Sequence, residues 1–457
     1  MVKRCTSVTS RKPETSQVAT GYFAATVKNV PEESLLRSNT SSSSNSHARF
    51  AGWWAVAAAF VVAVFGWGVG FYGPPVYLEV VRHSRGWSIP LVSGAVTLHF
   101  LVGLAIIPNL PYLYRRFGLS VVTTAAALLM AAGVSGWALA QSPWQLYAAA
   151  LLTGIGWSGL GAVAVNAIVA PWFNTKRPLA LGVAFNGGSV GGVIFSPLWV
   201  FLIGEIGFVT AAIAVGTVLV AIIGALAVSI LHQSPEKLGQ APDGILPLME
   251  PAHANPKRVD RPAVELALSR DRSFLTLCIG MTLALFAQTG VVAHLVSVLS
   301  PVLGGQGAGL AAGASGIAAV VGRLVVGWRA SGSSNWRAIA SFSLLAQAIG
   351  CVVLVLAHGS SSTLLILGVV LFGLGVGNAI SVPPVIANLE FRGSQAPRAV
   401  ALIVAISQGA YAIAPAVFGV FRQIWSDQII FIVATVIQFV AIAAYLLGHQ
   451  RKYQAQP

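Results

Sequence analysis

The chain has 457 residues, of which 56% are hydrophobic and only 9% are charged, and its formal net charge is +14. Soluble proteins contain about 25% charged residues, so this composition excludes an ordinary soluble globular protein. The basic residues are scattered over short gaps between apolar stretches, which favours a membrane protein over a nucleic-acid-binding protein.

Residues 1–50 are polar and include the low-complexity stretch Ser38–Ser46. They contain no apolar stretch that could form the core of a signal peptide, so we predict a disordered cytosolic tail. The tail is either dispensable or has a targeting or regulatory role.

Twelve apolar segments follow, each close to the roughly 20 residues that a helix needs to cross a bilayer. The polar stretch His232–Ser273 separates six of them from the other six. The sequence therefore predicts an all-α membrane protein with an N-terminal six-helix half (51–231), a cytosolic central loop (232–273), a C-terminal six-helix half (274–449) and a cytosolic C-terminal tail (450–457). The predicted helices are 52–78, 89–112, 121–141, 145–170, 179–203, 207–231, 274–299, 306–328, 337–357, 363–386, 398–421 and 428–448.

Positive charges divide unevenly between the two sides of this topology. With the N-terminus inside, only Arg82, Arg85 and Arg422 fall on the outer links. Because basic residues concentrate on the cytosolic side, we expect both termini in the cytosol of a protein in the cell (inner) membrane. The inner links carry the central loop and Arg115, Arg116, Lys176, Arg177, Arg329, Arg337, Arg392, Arg398, Arg451 and Lys452.

The two halves also resemble each other at a constant offset of 218 residues. Such similarity is typical of transporters built from two parallel repeats. The identical pairs are Phe173 with Phe391, Gly191 with Gly409, and Pro197 with Pro415.

The stretch Trp172–Leu198 carries an aromatic pair, a basic pair and then a glycine-rich apolar segment. Its overlapping glycine pairs, four residues apart, predict that another helix backbone approaches closely. The stretch is similar to the signature of the monocarboxylate porters, within the major facilitator superfamily. Gly86–Ser88 and Ser234–Gly244 resemble the same family and its oxalate/formate antiporter relatives. The resemblance covers about residues 52–449 and implies the major facilitator fold.

The loop between the second and third helices departs from the superfamily pattern G-x-x-x-D-R-x-G-R-R. Arg115 stands where the acid is expected, while Arg116 and Gly118 are kept. We predict that Arg115 and Arg116, together with Lys176 and Arg177, form the gating loops.

An arginine on helix eight contacts the substrate carboxylate in monocarboxylate porters, in the frame D-x-x-x-R-x-x-x-G. Arg323 and Gly327 match that frame, with Ala319 at the acid position. The resemblance thus implies that Arg323 anchors an anion, which a guanidinium can hold through two hydrogen bonds. The alternative is that Arg323 extends to the cytosolic surface or holds a gate loop. The family's lysine on helix one is absent, and Gly73 stands at the aligned position.

Acidic residues are absent from the middle of the predicted helices, where a proton relay often places one. Proton coupling would then depend on His99, on His294, on an acid at a helix end or on the substrate's own proton. His294 is also a candidate substrate contact, because helix seven lines the cavity in this family. Either imidazole could instead form an ordinary hydrogen bond with a neighbouring helix.

Helices one, four, seven and ten surround the cavity in this superfamily, and their midpoints lie near Trp67, Trp157, Gln288 and Asn378. Both Trp67 and Asn378 lie among glycines that are followed by a proline pair. The pair is Pro74–Pro75 after Trp67 and Pro383–Pro384 after Asn378. Interrupted helices at corresponding places in two halves are typical of transport sites, although ordinary helix packing is the alternative. Further candidate hydrogen-bonding residues are Tyr72, Gln408 and Tyr411.

No sequence motif indicates an enzyme, a nucleotide-driven pump or a metal site, and Ser189 lies inside a membrane helix rather than at a strand-to-helix turn. The sequence therefore predicts a secondary active transporter of a small organic anion, with a monocarboxylate favoured, and no catalytic residue. Its predicted partners are the substrate, the lipid bilayer and a proton or counter-ion, with no cofactor and no nucleic acid. The alternatives are an exporter of neutral or amphipathic compounds and a non-transporting membrane sensor.

Overall fold

The computed structural model describes residues 50–244, 268, 270–330, 335–357, 361–391 and 395–448. Within these ranges all regular secondary structure is helical, and the described residues form one compact unit. The predicted N-terminal tail up to residue 49, residues 245–267 of the central loop and the C-terminal tail lie outside the described residues.

Fourteen α-helices of the described chain are numbered in order. Short 3-10 turns lie at Ile107–Asn109, Glu236–Leu238 and Pro242–Gly244, and a π-turn at Ala227–Leu231 extends the eighth helix. The α-helices are α1 Gly52–Gly70, α2 Gly73–Arg85, α3 Ile89–Ile106, α4 Leu110–Phe117, α5 Leu119–Leu139, α6 Pro143–Leu160, α7 Ala162–Val169, α8 Arg177–Leu226, α9 Arg272–Arg329, α10 Trp336–Leu356, α11 Ser362–Glu390, α12 Gln395–Ala412, α13 Ala414–Ile424 and α14 Ile429–Leu447.

Ten helical stretches are long and apolar enough to cross a membrane, and two of them, Arg177–Leu231 and Arg272–Arg329, contain 55 and 58 residues. A single crossing needs only about 20 residues. Gly207 and Gly304 interrupt these two stretches with φ values of 77° and 69°, a conformation that glycine adopts without a Cβ clash.

The contacts at their ends show that both long stretches fold back on themselves. Asp243, beyond the end of α8, accepts hydrogen bonds from the backbone N–H groups that precede this helix. Arg337, beyond the end of α9, donates to the carbonyl of Ser273 at its beginning, at 2.8 Å. Each stretch therefore returns to the side on which it began, as two helices joined by a tight turn would.

The proline pairs have different effects on the two helices that carry them. Pro74 and Pro75 begin α2, after a break at Phe71 and Tyr72, and a proline is tolerated in a first turn because its missing N–H has no partner there. The predicted interruption at Pro383–Pro384 is wrong, since α11 is continuous from Ser362 to Glu390. A proline removes one hydrogen bond of a helix and bends it without necessarily ending it.

Two antiparallel helix pairs join the halves. The first half of α8 packs on the second half of α9, where a Cβ on Gly309 would lie 2.9 Å from Val200 and 3.1 Å from the Ser196 carbonyl oxygen. On the other pair, α3 with α13, Thr97 Oγ1 accepts a hydrogen bond from the backbone N–H of Ala416 at 2.9 Å. That N–H is available because Pro415 begins a new helical turn after the break at Ile413.

The halves separate toward the N-side, which we define as the face of the bundle at which α1 begins. A Cβ built on Gly182 of α8 or on Gly327 of α9 would meet no atom of the described residues within 4 Å. Nearer the opposite face, which we call the far side, the same two helices are in contact through Gly309 and Gly313. The space between the halves therefore opens toward the N-side.

The glycine pairs of α8 bring α1 into close contact, as the sequence predicts. A Cβ on Gly187 would overlap the carbonyl oxygen of Phe60, and one on Gly191 would overlap that of Val64. Substituting Gly187 with alanine should therefore lower the yield and Tm of the folded protein, because overpacking costs about 1–3 kcal/mol. Thermal unfolding of the purified protein in detergent measures this effect.

Gly182 on the same helix provides the matched control, since a Cβ there meets nothing within 4 Å. Alanine is more favourable than glycine in a helix by about 1 kcal/mol, so Gly182→Ala should be neutral or stabilising. Equal Tm values for the two variants would contradict the close packing of α1 and α8.

Candidate functional site

Arg323 connects the two halves at the inner end of the space that opens to the N-side. Its Nη1 donates to Asn186 Oδ1 at 3.0 Å, and its Nη2 donates to Ser189 Oγ at 3.1 Å. Its Nε is buried and has no hydrogen-bond partner among the described residues. The guanidinium thus contacts α8 of the other half and keeps N–H donors that a ligand can use.

Helix α11 approaches Arg323 through glycines. A Cβ on Gly377 would lie 2.8 Å from Arg323 Nε, so the guanidinium packs directly against the backbone of α11. The next residue, Asn378, is 3% exposed and donates from Nδ2 to the carbonyl oxygen of Gly322 at 3.3 Å. Asn378 Oδ1 is buried without a partner in the described chain, so Asn378 offers an acceptor close to Arg323.

Aromatic side chains of the N-terminal half form a continuous surface, which we call the aromatic wall. The ring centroids of Trp67 and Trp157 are 5.1 Å apart, and those of Trp67 and Phe185 are 6.1 Å apart. The wall continues from Trp157 to Phe71 at 6.3 Å and from Phe71 to Phe100 at 5.9 Å. Its members are Phe185, Trp67, Trp157, Phe71 and Phe100, and it extends to Tyr411 of the other half at 5.8 Å from Phe100.

One face of α8 connects the aromatic wall to Arg323. Gly188 contacts the Trp67 ring, and Gly192 contacts the Tyr72 ring, which lies 5.1 Å from Phe71. Ser189, which binds Arg323, lies between these two glycines. The structure therefore brings four predicted site residues, Arg323, Tyr72, Trp67 and Trp157, around one segment of α8.

The remaining predicted substrate contacts lie on α9 and α12. Gln288 is buried in α9, and its Oε1 has no partner among the described residues. Gln408 precedes Tyr411 by about one turn of α12. Tyr411 in turn contacts Phe100, so Gln408 lies at the end of the aromatic wall that belongs to the C-terminal half.

His294 lies in a polar cluster toward the far side, apart from Arg323. Its Nε2 is 2.9 Å from the carbonyl oxygen of Pro415, and its Nδ1 is 3.1 Å from Nη1 of Arg422. A carbonyl only accepts and a guanidinium only donates, so the ring is neutral with its proton on Nε2. Arg422 also donates to Ser297 and to Asp427 Oδ1.

His99 is fully buried between α3, α6 and the end of α1. Its ring nitrogens lie 2.9 Å from Thr153 Oγ1 and 2.8 Å from the Gly70 carbonyl oxygen. Both nitrogens are therefore engaged in contacts that fix three helices of the N-terminal half relative to one another.

The predicted gating loops lie on the N-side. Arg115 and Arg116 are exposed at the end of α4, where Arg116 donates to the Tyr112 hydroxyl at 2.7 Å. Lys176 and Arg177 are exposed at the beginning of α8.

Asp243 fixes the loop that carries Lys176. The polar stretch after α8 folds back so that the Asp243 carboxylate accepts N–H bonds from Asn174, Thr175 and Lys176 at 3.1, 2.7 and 3.2 Å. Desolvation raises the pKa of this carboxyl, but these N–H groups lower it by more, so its net pKa is below the usual value. The sequence stretch Ser234–Gly244 therefore has a structural role in capping α8.

Sequence reasoning missed the partners of Arg323. Asn186 and Ser189 are three residues apart in an otherwise apolar helix, and this spacing places both on one face. That polar pair was the available signal, but it does not indicate a partner 137 residues away. The contact between His294 and Arg422 was likewise not predictable, because 128 residues separate them in the sequence.

The chain matches the model of the Major Facilitator Superfamily over residues 56–339, which is more than half of its length. The chain belongs to the Major Facilitator Superfamily. It is therefore a multi-pass membrane protein of a transporter family, and the predicted family and all-helical fold are confirmed.

Several members of the superfamily are similar to this chain at low identity. Human monocarboxylate transporter 11 is 26% identical over 344 residues, which cover 72% of this chain and 68% of that protein. MFS transporter asaE of Aspergillus flavus is 27% identical over 42% of this chain and 44% of its own length. Probable anion transporter 4, chloroplastic, of Arabidopsis thaliana is 37% identical over 25% of this chain and 22% of its own length. The match thus spans less than half of the last two proteins.

Two solved structures share the fold. The nucleoside transporter NupG has a TM-score of 0.67 at 13% identity, covering 86% of this chain and 98% of that chain. A bacterial homologue of the human lysosomal transporter Spinster, in an inward-facing and occupied conformation, has a TM-score of 0.65 at 14% identity, covering 87% and 96%. At these identities the likeness concerns the fold alone.

Proposed function

We propose that this superfamily member is a secondary active transporter of small organic anions, with monocarboxylates as the favoured class. The observation that carries the proposal is Arg323, whose guanidinium lies between the halves and reaches Asn186 and Ser189 of the other half with Nη1 and Nη2. A permanently charged fork in such a place binds a carboxylate through charge-assisted hydrogen bonds. The names of two relatives, a monocarboxylate transporter and a probable anion transporter, support the same class.

Arg323 also offers a mechanism for alternating access. The same guanidinium holds Asn186 and Ser189 of the other half. A carboxylate that takes over some of its donors would change the contact between the halves as the site fills. Only an interaction that differs between the two conformations can shift their populations, and we propose that this contact between the halves is such an interaction.

The N-side is proposed to face the cytosol of a cell membrane, because most basic links lie on it. The space between the halves would then open inward, with both termini cytoplasmic. A proton or counter-ion is the proposed coupling partner, and His294 and His99 stay the candidate proton carriers.

Uptake into proteoliposomes tests the proposal. We expect saturable uptake of at least one member of a radiolabelled carboxylate panel above that of protein-free vesicles, with a rate that changes when a pH gradient is imposed. Protein-free vesicles are essential, because undissociated acids cross bilayers unaided. Lack of saturable uptake for every carboxylate, with a reconstituted protein that is folded, would contradict the anion proposal.

The aromatic wall favours a second candidate function, export of a neutral or amphipathic compound. Its rings supply apolar area, and the cation that lies beside this area in the described part of the chain is Arg323. Uptake or efflux that is saturable for an uncharged aromatic compound and unaffected by loss of Arg323 would support this second function instead.

A further inference from the structure

The aromatic wall presents apolar ring surface to the space that Arg323 enters. Trp67, Phe71 and Phe185 are half-buried, while Trp157 and Phe100 are buried behind them. Rings in T-shaped or tilted contact hold one another in fixed orientations. The half-buried members therefore offer a rigid surface on which a flat apolar group can stack.

The charge at this surface is a single positive one. Among the described residues, the hydrogen bonds of Arg323 go to Asn186 and Ser189 and none goes to an acidic side chain. Glu79, in the middle of α2, pairs instead with Arg82 and His83. One guanidinium balances one carboxylate, whereas a second carboxylate on the ligand would be desolvated without a partner. The described part of the site thus fits a monoanion better than a dianion. The acidic residues are Glu79, Glu205, Glu236, Asp243, Asp271, Glu390 and Asp427.

The wall and the charge impose an orientation on a ligand. The face of an aromatic ring carries partial negative charge, so it disfavours a carboxylate and accepts an apolar body. At the opposite end, Nη1 and Nη2 of Arg323 each carry two N–H groups, and the contacts with Asn186 and Ser189 use one N–H of each. A ligand that contacts both parts of the site has its carboxylate at Arg323 and an apolar body against Trp67 and the other rings of the aromatic wall.

The extent of the wall sets the size of that body. Five consecutive ring-to-ring contacts connect Phe185 to Tyr411, with centroid separations between 5.1 and 6.3 Å. A two- or three-carbon acid would cover only a small part of this surface. We propose that the substrate is a monocarboxylate with a flat aromatic body, and this inference rests on the proposed anion transport.

Binding to the purified full-length protein, measured by calorimetry in detergent, tests the inference with four probes. These are phenylacetate, acetate, the uncharged phenylacetamide and the dianion phenylmalonate. Because the phenyl ring covers apolar surface of the wall that acetate leaves uncovered, phenylacetate should bind at least ~30-fold more tightly than acetate. It should also bind more tightly than phenylacetamide and phenylmalonate.

Two outcomes separate this inference from the proposed function. Equal affinity for acetate and phenylacetate, with both weakened in an Arg323→Gln variant, would overturn the aromatic substrate and leave anion transport intact. Equal affinity for phenylacetamide and phenylacetate would overturn both, because the carboxylate would then contribute nothing.

Substitutions in the wall provide an independent test. Trp67→Leu keeps an apolar side chain without the ring, and it should weaken phenylacetate binding about 10-fold while changing acetate binding less than about 2-fold. Phe185→Leu should act in the same direction if the Trp67 variant fails to fold. Trp54→Leu, at an exposed position on the same helix, is the matched control and should change neither affinity. Equal losses for both ligands in the Trp67 and Phe185 variants would overturn the inference.

Discussion

An Arg323→Gln variant is expected to transport carboxylates with a kcat/KM about 10- to 100-fold below that of the unmodified protein. Glutamine can still donate to Asn186 or Ser189, but it removes the positive charge, and hydrogen bonds to charged groups contribute about 1.5–3 kcal/mol. The carboxylate would then lose its charged partner at the interface between the halves. Initial rates of uptake into proteoliposomes, measured over a range of substrate concentrations, provide the comparison.

Three further variants separate the charge from the interface contact. Arg323→Lys keeps the positive charge but loses the planar guanidinium. Its kcat/KM should therefore lie between that of the unmodified protein and that of Arg323→Gln. Asn186→Ala leaves the charge and removes one contact between the halves, so substrate affinity should change less than in Arg323→Gln. Arg329→Gln, at an exposed arginine at the end of the same helix, should transport normally. Unchanged carboxylate affinity in Arg323→Gln would exclude Arg323 from the binding site.

The fold could be predicted from the sequence because a bilayer allows few solutions. Backbone groups in hydrocarbon must be satisfied within a helix, so apolar length alone locates the crossings. The reversal at Gly304 lies in the short gap between two predicted helices, and the reversal at Gly207 lies at the first residue of a predicted helix. Local details were less predictable: the pair Pro383–Pro384 left its helix continuous, whereas the break at Ile413 interrupts a segment predicted as one helix.

The sequence predicted those site residues that are recognisable within a single helix, but not the contacts between helices. Arg323 could be selected because it is a charge in an apolar segment within a family frame, and Trp67 because glycines surround it. The contacts of Arg323 with Asn186 and Ser189 depend on how two halves pack, which periodicity within one helix does not determine. For the same reason the contact of His294 with Arg422, 128 residues away in the sequence, could not be predicted.

A buried ion pair on the N-side of the C-terminal half leads to the prediction with the largest effect on stability. Arg337 donates from Nε and Nη2 to the two carboxylate oxygens of Glu390, at 2.6 and 2.7 Å. The same guanidinium donates to the carbonyl oxygens of Ser273 and Tyr445 and to Thr276 Oγ1. It thereby joins the ends of four helices, α9, α10, α11 and α14, and only 2% of the Arg337 side chain is exposed.

Replacing Arg337 with methionine should strongly destabilise the protein, because it leaves the Glu390 carboxylate buried without its partner. Removal of one member of a buried pair costs about 3–5 kcal/mol, whereas replacing both members with apolar residues is often neutral or stabilising. The double variant Arg337→Met/Glu390→Met should therefore be more stable than Arg337→Met. Thermal unfolding in detergent, followed by the loss of monodisperse protein, measures both.

Arg329→Met provides the control for the loss of an exposed arginine at the end of a helix, and its Tm should be close to that of the unmodified protein. If Arg337→Met were as stable as Arg329→Met, the pair would not hold the four helices together. If the double variant were no more stable than Arg337→Met, the loss would arise from the contacts to Ser273, Thr276 and Tyr445 rather than from the unpaired carboxylate. The pair lies within one half, so we expect these variants to change the amount of folded protein while substrate affinity of the folded fraction, which depends on Arg323, stays the same.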